Sequence, residues 1–203
     1  SSVVLFKYGE SIYDNIVVFA SDIDDIGDEL LDFMNKGGNL LVATDENASN
    51  SLRDFAENCG VEFDTSGSYA VDHFSFSEKE DIDRIHSAVV TDNVHSSGNL
   101  LSTFTDVPSA SRKVIYQGIG HAVDESNVFA VKVLKGNPTT YSADPSKSVG
   151  DYPETAGADT LLVTSIQGRN NARATFSGSI NMFSNEFFHS TTENGNEQFC
   201  DDI

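Results

Sequence analysis

The sequence predicts an α/β domain, a layered sheet with crossover helices that ends in a C-terminal β-hairpin. Three observations carry this. Residues 15–63 alternate apolar runs with amphipathic stretches in the order strand, helix, strand, helix, strand, the pattern of a parallel sheet with helical crossovers. Leu, Ile, Val and Phe supply 54 of the 203 residues. That share lies above the roughly 20% floor below which a highly charged chain stays unfolded, so a core can form. Finally, two β-rich segments late in the chain flank a five-residue polar turn, as a hairpin requires.

Taken in order, Asn15–Ala20 (NIVVFA) is a short continuous apolar run, as expected of a buried parallel strand. Asp24–Lys36 then places Ile26, Leu30, Phe33 and Met34 at helical spacing. Asp22, Asp24 and Asp25 cluster at its N-terminus, where the helix dipole favours carboxylates, and Gly37 supplies the stop. Gly38–Ala43 is a second apolar strand. Ser51–Cys59 sets Leu52, Phe55, Ala56 and Cys59 on one face, Gly60 ends it, and Val61–Phe63 is the third strand. From Thr65 to Asp106 the pattern is weaker, polar and Ser-rich, with short strands expected at Ala88–Thr91 and Leu100–Phe104. Lys113–Gln117 and Val128–Leu134 read as strands. Gly136–Gly157 holds three of the four prolines and little periodicity, which predicts a long loop. Thr160–Ile166 and Ala172–Ser177 form the hairpin through Gln167–Asn171. Met182–His189 carries Phe183, Phe187 and Phe188 on one side as a short helix. Thr191–Ile203 is polar, shows no capping element, and reads as an end that is cut rather than finished.

Lys and Arg number 12 against 32 Asp and Glu, for a net charge of −20. The first hundred residues alone carry 5 basic and 20 acidic side chains. Such a field repels phosphate backbones, which excludes nucleic acid as a partner, and it opposes docking on anionic lipid. Apolar runs such as Ile16–Ala20 and Leu161–Val163 fall far short of the ~18 residues of a membrane span. With no signal peptide or initiator Met, the chain reads as mature, truncated or both. Its two cysteines permit at most one bridge.

Candidate chemistry is sparse. Asp22–Glu29 invites a calcium-loop reading, but counting from Asp22 puts Ile26 at the fifth position and Phe33 at the twelfth, where oxygen ligands are needed. Carboxylates at a helix N-terminus explain the cluster better. Gly118-Ile119-Gly120 lacks the third glycine of a dinucleotide loop, Val123 standing there, and reads as a turn. The elbow after the second strand is Thr44-Asp45-Glu46-Asn47, without an activated Ser or Cys. Cys59 lies on an apolar helix face, where a thiol is a small inert hydrophobe. His73, His86, His95, His121 and His189 show no zinc spacing and read as loop or surface residues. Asn47-Ala48-Ser49 is an N-glycosylation sequon in a strand-to-helix loop, with helix initiation by Ser49 or Asn50 as the alternative reading. A Cys59–Cys200 bridge is the disulfide the composition allows; the placement of Cys59 in the core stands against it.

Gln167-Gly168-Arg169-Asn170-Asn171-Ala172-Arg173, followed by Phe176-Ser177-Gly178-Ser179, resembles the family of 48 kDa subunits of dolichyl-diphosphooligosaccharide–protein glycosyltransferase, the oligosaccharyltransferase of the endoplasmic reticulum. Tyr8-Gly9-Glu10, Tyr13-Asp14-Asn15, Gly37-Gly38 before Leu40-Leu41-Val42, Glu57–Asp64, Val71-Asp72-His73 and Gly118-Ile119-Gly120 agree in order, so the resemblance covers nearly the whole chain. Its most specific part is Arg169, Asn170, Asn171 and Arg173 with Ser177, Gly178 and Ser179. Gly168 before Arg169 is a tolerable variation, and His121 stands where the resemblance expects an apolar residue.

The resemblance implies a Rossmann-like layer related to class I glutamine amidotransferases, without their nucleophilic cysteine. It implies one incomplete lumenal domain over 1–203, with a strand, helix and strand upstream, and a β-rich region and transmembrane helix downstream. The missing strands would leave an apolar sheet edge exposed, so the piece alone is expected to aggregate. The implied role is a non-catalytic, membrane-anchored subunit on the lumenal face of the endoplasmic reticulum. Its partners would be the other subunits, with contact to donor glycan or acceptor polypeptide. No cofactor is expected in this chain, and a divalent metal belongs to the catalytic subunit. Arg169 and Arg173 are candidates for a positive spot, with ion pairing to nearby carboxylates as the structural alternative. Two other readings compete: a cytosolic amidotransferase-like assembly module, and a hydrolase, which needs a nucleophile and base the sequence does not display.

Overall fold

The computed structural model describes residues 4–95, 101–108, 111–148, 152–190 and 194–203. A small hairpin of β1 (Phe6–Lys7) and β2 (Glu10–Ser11) leads into β3 (Asn15–Phe19). Next come α1 (Gly27–Asn35), β4 (Asn39–Ala43), α2 (Asn50–Asn58) and β5 (Glu62–Phe63). The middle of the chain contributes β6 (Tyr69–Val71), β7 (Val89–Thr91), α3 (Ser102–Asp106), β8 (Val114–Tyr116) and β9 (His121–Ala122). The last part supplies β10 (Ala130–Lys135), β11 (Tyr141–Ala143), β12 (Leu161–Gln167), β13 (Arg173–Ser177), α4 (Asn185–Phe188) and α5 (Asn196–Asp202).

Seven strands make the central mixed sheet, in the order β3-β4-β13-β12-β9-β5 with β10 also on β12. β3, β4 and β13 run parallel, whereas β12 is antiparallel to β13, β10 and β9. Apolar residues pack as two clusters. One gathers Leu30, Phe33, Leu52 and Phe55 from α1 and α2 against Leu40, Val42, Ala174 and Phe176 of the sheet. The other gathers Phe104, Ile115, Tyr116, Leu134, Leu162, Val163, Met182 and Phe199.

The glycine stops behave as the sequence predicts. Gly37 (φ 97°) and Gly38 donate to Met34 and Phe33 carbonyls, and Gly60 (φ 90°) and Val61 to Glu57 and Ala56 carbonyls. Both are the paired 5→2 and 6→1 bonds by which a left-handed residue closes a helix. Ser49 caps α2, its hydroxyl accepting from Leu52 N–H at 3.3 Å. The helix expected from Asp24 begins with a 3-10 turn over Asp24–Ile26 and becomes α-helical at Gly27.

Five expectations are corrected. The third strand is not part of the parallel run: β5 pairs antiparallel with β9 at the far end of the sheet, and β13 takes the place beside β4. A two-residue strand offers two register pairs, and β13 offers four. Ser102–Asp106 is a helix rather than a strand, Leu100 lying outside the described residues. The Asp202 carboxylate accepts from Thr103 N–H (3.1 Å) and Phe104 N–H (2.8 Å), a cap supplied from about a hundred residues away. The proline-rich excursion contains β11, paired with β6. Met182–His189 splits into a 3-10 turn, Asn181–Phe183, and α4, because Ser184 starts a new helix by accepting from Phe187 N–H. The chain end is structured from residue 194: α5 buries Phe199, and the Asn196 side-chain amide accepts from Ile115 N–H and donates to Ile115 C=O, both at 2.8 Å.

β3 ends the sheet, its five residues carry no charge, and Val17 and Phe19 are 60% and 46% exposed. An uncharged β-branched edge is a template for strand addition. The 203-residue chain by itself is therefore expected to aggregate or to bind an apolar dye. A monodisperse preparation with a cooperative melt and no dye signal would contradict this.

Candidate functional site

Ligands of open α/β sheets bind outside the carboxyl ends of the parallel strands. Here β3 runs out into Ser21 and Asp22, β4 into Thr44-Asp45-Glu46-Asn47, and β13 into Gly178-Ser179. One oxygen of Asp22 accepts from Ser51 Oγ (2.6 Å), Ser49 Oγ (2.7 Å) and Asp24 N–H (3.1 Å). The two hydroxyls, Ser51 first, hold its carboxyl well below the usual range, and the Asp22 charge pushes neighbouring Asp24 up. Asp22 thus ties the β3 exit to the start of α2 instead of capping α1. Asp45 accepts from Ser21 Oγ (2.7 Å) and Asn47 N–H (2.9 Å). The rim offers carboxylates and hydroxyls engaged with one another, and no Cys or His lies among residues 20–25, 44–51 or 177–181. Among the described residues no group of three or more His, Cys, Asp or Glu is placed to hold a metal ion.

The thiols are not poised for attack. Burial pushes both Cys59 and Cys200 up to about 12, the Asp201 charge adding to the second. They do not form a bridge: both are free, Cys59 packs on the first cluster beside Met34 Sδ (3.8 Å), and Cys200 on the second beside the Met182 carbonyl (3.5 Å). The surface reading also fails for His121. It is fully buried, edge-on to Phe63, with Nε2 2.8 Å from Thr164 Oγ1 and Nδ1 without a partner among the described residues. Burial pulls it down to about 3, so it is neutral at physiological pH.

Two groupings escaped the sequence reading. His73 meets His86 edge-to-face (4.8 Å between centroids) and lies 2.8 Å from the Tyr141 hydroxyl, with Asp81 3.5 Å from His86 Nδ1. Buried Asp72 accepts from Phe74 and Ser75 N–H, Asn137 Nδ2, Thr139 Oγ1 and Thr140 Oγ1 at 2.9–3.1 Å. Burial pushes the Asp72 carboxyl up; these donors outweigh it and leave it below its ordinary value. It fastens the proline-rich excursion to the β6 end. Contacts this distant in sequence leave no local signal, although Asp72 did fall within the family resemblance.

The motif residues lie at opposite ends of β13, five residues at about 3.3 Å each. At one end Asn170 Nδ2 donates to the Met34 (2.7 Å) and Asn35 (3.0 Å) carbonyls, satisfying the C-terminus of α1. Asn171 takes the left-handed conformation (φ 69°) that the hairpin turn requires and Asn tolerates. Asn39 Oδ1 accepts from Arg173 N–H (3.0 Å). The Arg169 guanidinium lies 5.3 Å from the Phe129 ring, and among the described residues neither Arg169 nor Arg173 forms an ion pair. At the other end Ser179 Oγ donates to Gln117 C=O (2.6 Å), Ile119 N–H to Gly178 C=O (2.9 Å), and Ser177 Oγ lies 3.1 Å from Met182 Sδ. A Cβ on Gly178 would overlap the Ile119 carbonyl, and one on Gly118 the Gly178 carbonyl. The two glycine motifs interlock backbone to backbone.

Fold and site together define a mixed α/β domain whose distinctive residues serve the joints of its sheet. The chain belongs to the family described as OST48, N-terminal domain, which it matches over residues 1–203. It is 37% identical over 198 residues to the Drosophila melanogaster dolichyl-diphosphooligosaccharide–protein glycosyltransferase 48 kDa subunit, covering 93% of this chain and 43% of that protein. The subunits of the same name from Danio rerio and Arabidopsis thaliana are each 33% identical, over 93% and 100% of this chain and 43% and 49% of theirs. The chain thus spans less than half the length of these relatives. Among solved structures, the mmIFT52 N-terminal domain superposes with a TM-score of 0.60 at 13% identity, over 93% of this chain and 74% of that one, a likeness of fold.

His121 is neutral when folded and takes up a proton once unfolded, where its pKa is about 6.5. The unfolded state binds the extra proton between these values, so stability is full above the upper one and falls with pH, by about 2 kcal/mol at pH 5. His121→Leu should flatten the thermal midpoint between pH 7 and 5; an unchanged slope would place the acid sensitivity elsewhere. Gly178→Ala should cost about 3 kcal/mol in urea unfolding, and Arg169→Ala less than about 1 kcal/mol. Equal losses would contradict the division of the motif into a joint and a surface end.

Proposed function

We propose that this chain is a lumenal α/β domain of a non-catalytic subunit of the oligosaccharyltransferase complex, which moves an oligosaccharide from dolichyl diphosphate to the Asn of N-x-S/T. The observation that carries this is the family match over the full chain, with relatives named as the 48 kDa subunit. The domain serves as a scaffold in the endoplasmic reticulum, meeting other subunits and reaching donor glycan or acceptor polypeptide. Its lack of catalysis is supported by the elbow Thr44–Asn47 without a nucleophile, by thiols held protonated, and by a buried neutral His121. The divalent metal of the reaction is assigned to the catalytic subunit. The β3-α1-β4-α2 arrangement supports descent from a Rossmann-like layer of the glutamine amidotransferase kind. No helix among the described residues is long and apolar enough to cross a membrane; anchoring is assigned to the remainder of a polypeptide as long as the relatives.

A cytosolic assembly module is the second reading, favoured by the likeness to the mmIFT52 N-terminal domain. The discriminating experiment tags the full-length protein, solubilises microsomes in mild detergent, and assays the eluate for glycan transfer to an N-x-T peptide. Co-purifying activity that depends on the catalytic subunit in the eluate is expected. Neither activity nor a polytopic membrane partner would transfer the weight to the cytosolic module.

A further inference from the structure

That reading leaves the sequon Asn47-Ala48-Ser49 unused, and its three residues are placed very differently. Asn47 is exposed in the turn after β4, its Nδ2 donating to the adjacent Glu46 carboxylate at 3.0 Å. Ala48 is fully buried in the cluster under α1 and α2, and its N–H donates to the Asp45 carbonyl. Ser49 is the N-cap of α2. Its hydroxyl donates to Asp22 (2.7 Å), accepts from Leu52 N–H (3.3 Å) and lies 2.8 Å from Ser51 Oγ, while its own N–H donates to the Ser21 carbonyl (2.7 Å).

From this geometry we propose that Asn47 carries an N-linked oligosaccharide, attached before this segment folds and no longer attachable once α2 has docked. The inference rests on the lumenal reading above. The sequon requires a hydroxyl residue at its third position; in the folded domain the Ser49 hydroxyl is engaged by Asp22, Ser51 and the Leu52 amide. An acceptor segment must also leave its own fold to enter a transferase cleft, and here that means pulling Ala48 out of the core. The product meets no such obstacle. A glycan on an exposed turn displaces nothing, and the remaining N–H still serves Glu46. In the transfer, Asn47 Nδ2 attacks the anomeric carbon of the dolichyl-diphosphate-linked oligosaccharide. The C–N bond forms as the anomeric C–O bond breaks, dolichyl diphosphate leaves with the electron pair, and the amide nitrogen releases one proton to solvent.

The test translates the full-length chain in microsomes with an acceptor tag inserted at the Tyr8–Gly9 turn, where Tyr8 is 96% exposed. Counted against an untagged Asn47→Gln chain, two additional glycans are expected on this chain and on Ser49→Thr, one on the tagged Asn47→Gln and one on the tagged Ser49→Ala. Modification of the tag but not Asn47 would overturn the inference and leave the lumenal reading standing. Modification of neither would overturn both. For timing, the same tagged chain is made in cells without the machinery, folded, and offered to solubilised oligosaccharyltransferase with lipid-linked donor. Transfer to Asn47 should be at least about tenfold slower than to the tag, since it awaits local unfolding; equal rates would refute closure by folding.

Discussion

The pairing of β13 with β4 holds the two halves of the molecule together. Thr175 lies opposite Leu41, and on its other side β13 receives the antiparallel β12. Ala174 and Phe176 face the helices of the first cluster, while β12 delivers Leu162 and Val163 to the second. A slip of one residue would exchange every side chain between faces and bring Thr175 and Ser177 under the helices. Both ends of the strand are pinned against that slip, by Asn170 on the α1 carbonyls and by Gly178 against Ile119. Contacts of this sequence range form late and slowly, because loop closure precedes any gain from the pairing.

What the sequence discloses follows from the range of the forces involved. α1, α2 and the β12–β13 hairpin rest on local periodicity, glycine stops and turn residues, and their positions agree with the sequence reading to within a few residues. The placement of β5, the helix at Ser102–Asp106 and the ordered α5 depend on partners tens to a hundred residues away: His121 for Phe63, Asp202 for Phe104, Ile115 for Asn196. No window of local sequence contains those partners. His121 shows the same limit in reverse, since a histidine reads as polar until the strand around it proves to be buried.

The candidate site divides along similar lines. The elbow after β4, Thr44-Asp45-Glu46-Asn47, is legible from residue types at a strand exit and needs no distant partner to be located. The family resemblance rests on Arg169–Arg173 and Ser177–Ser179, and among these Asn170, Gly178 and Ser179 join the sheet to its neighbours. A resemblance carried by joints reports shared architecture first; the proposed role in glycan transfer rests on the relatives' names.

The side-chain amide of Asn196 has one more consequence. It occupies the N–H and C=O of Ile115, the middle residue of β8, as a neighbouring strand would. On that flank the ribbon of β7 and β8 is sealed, and no foreign backbone can extend it. β3, an end strand of the separate central sheet, pairs only with β4 among the described residues. The ribbon is thereby closed to strand addition at Ile115 by one side-chain amide, whereas the central sheet keeps β3 as the open edge on which aggregation is expected.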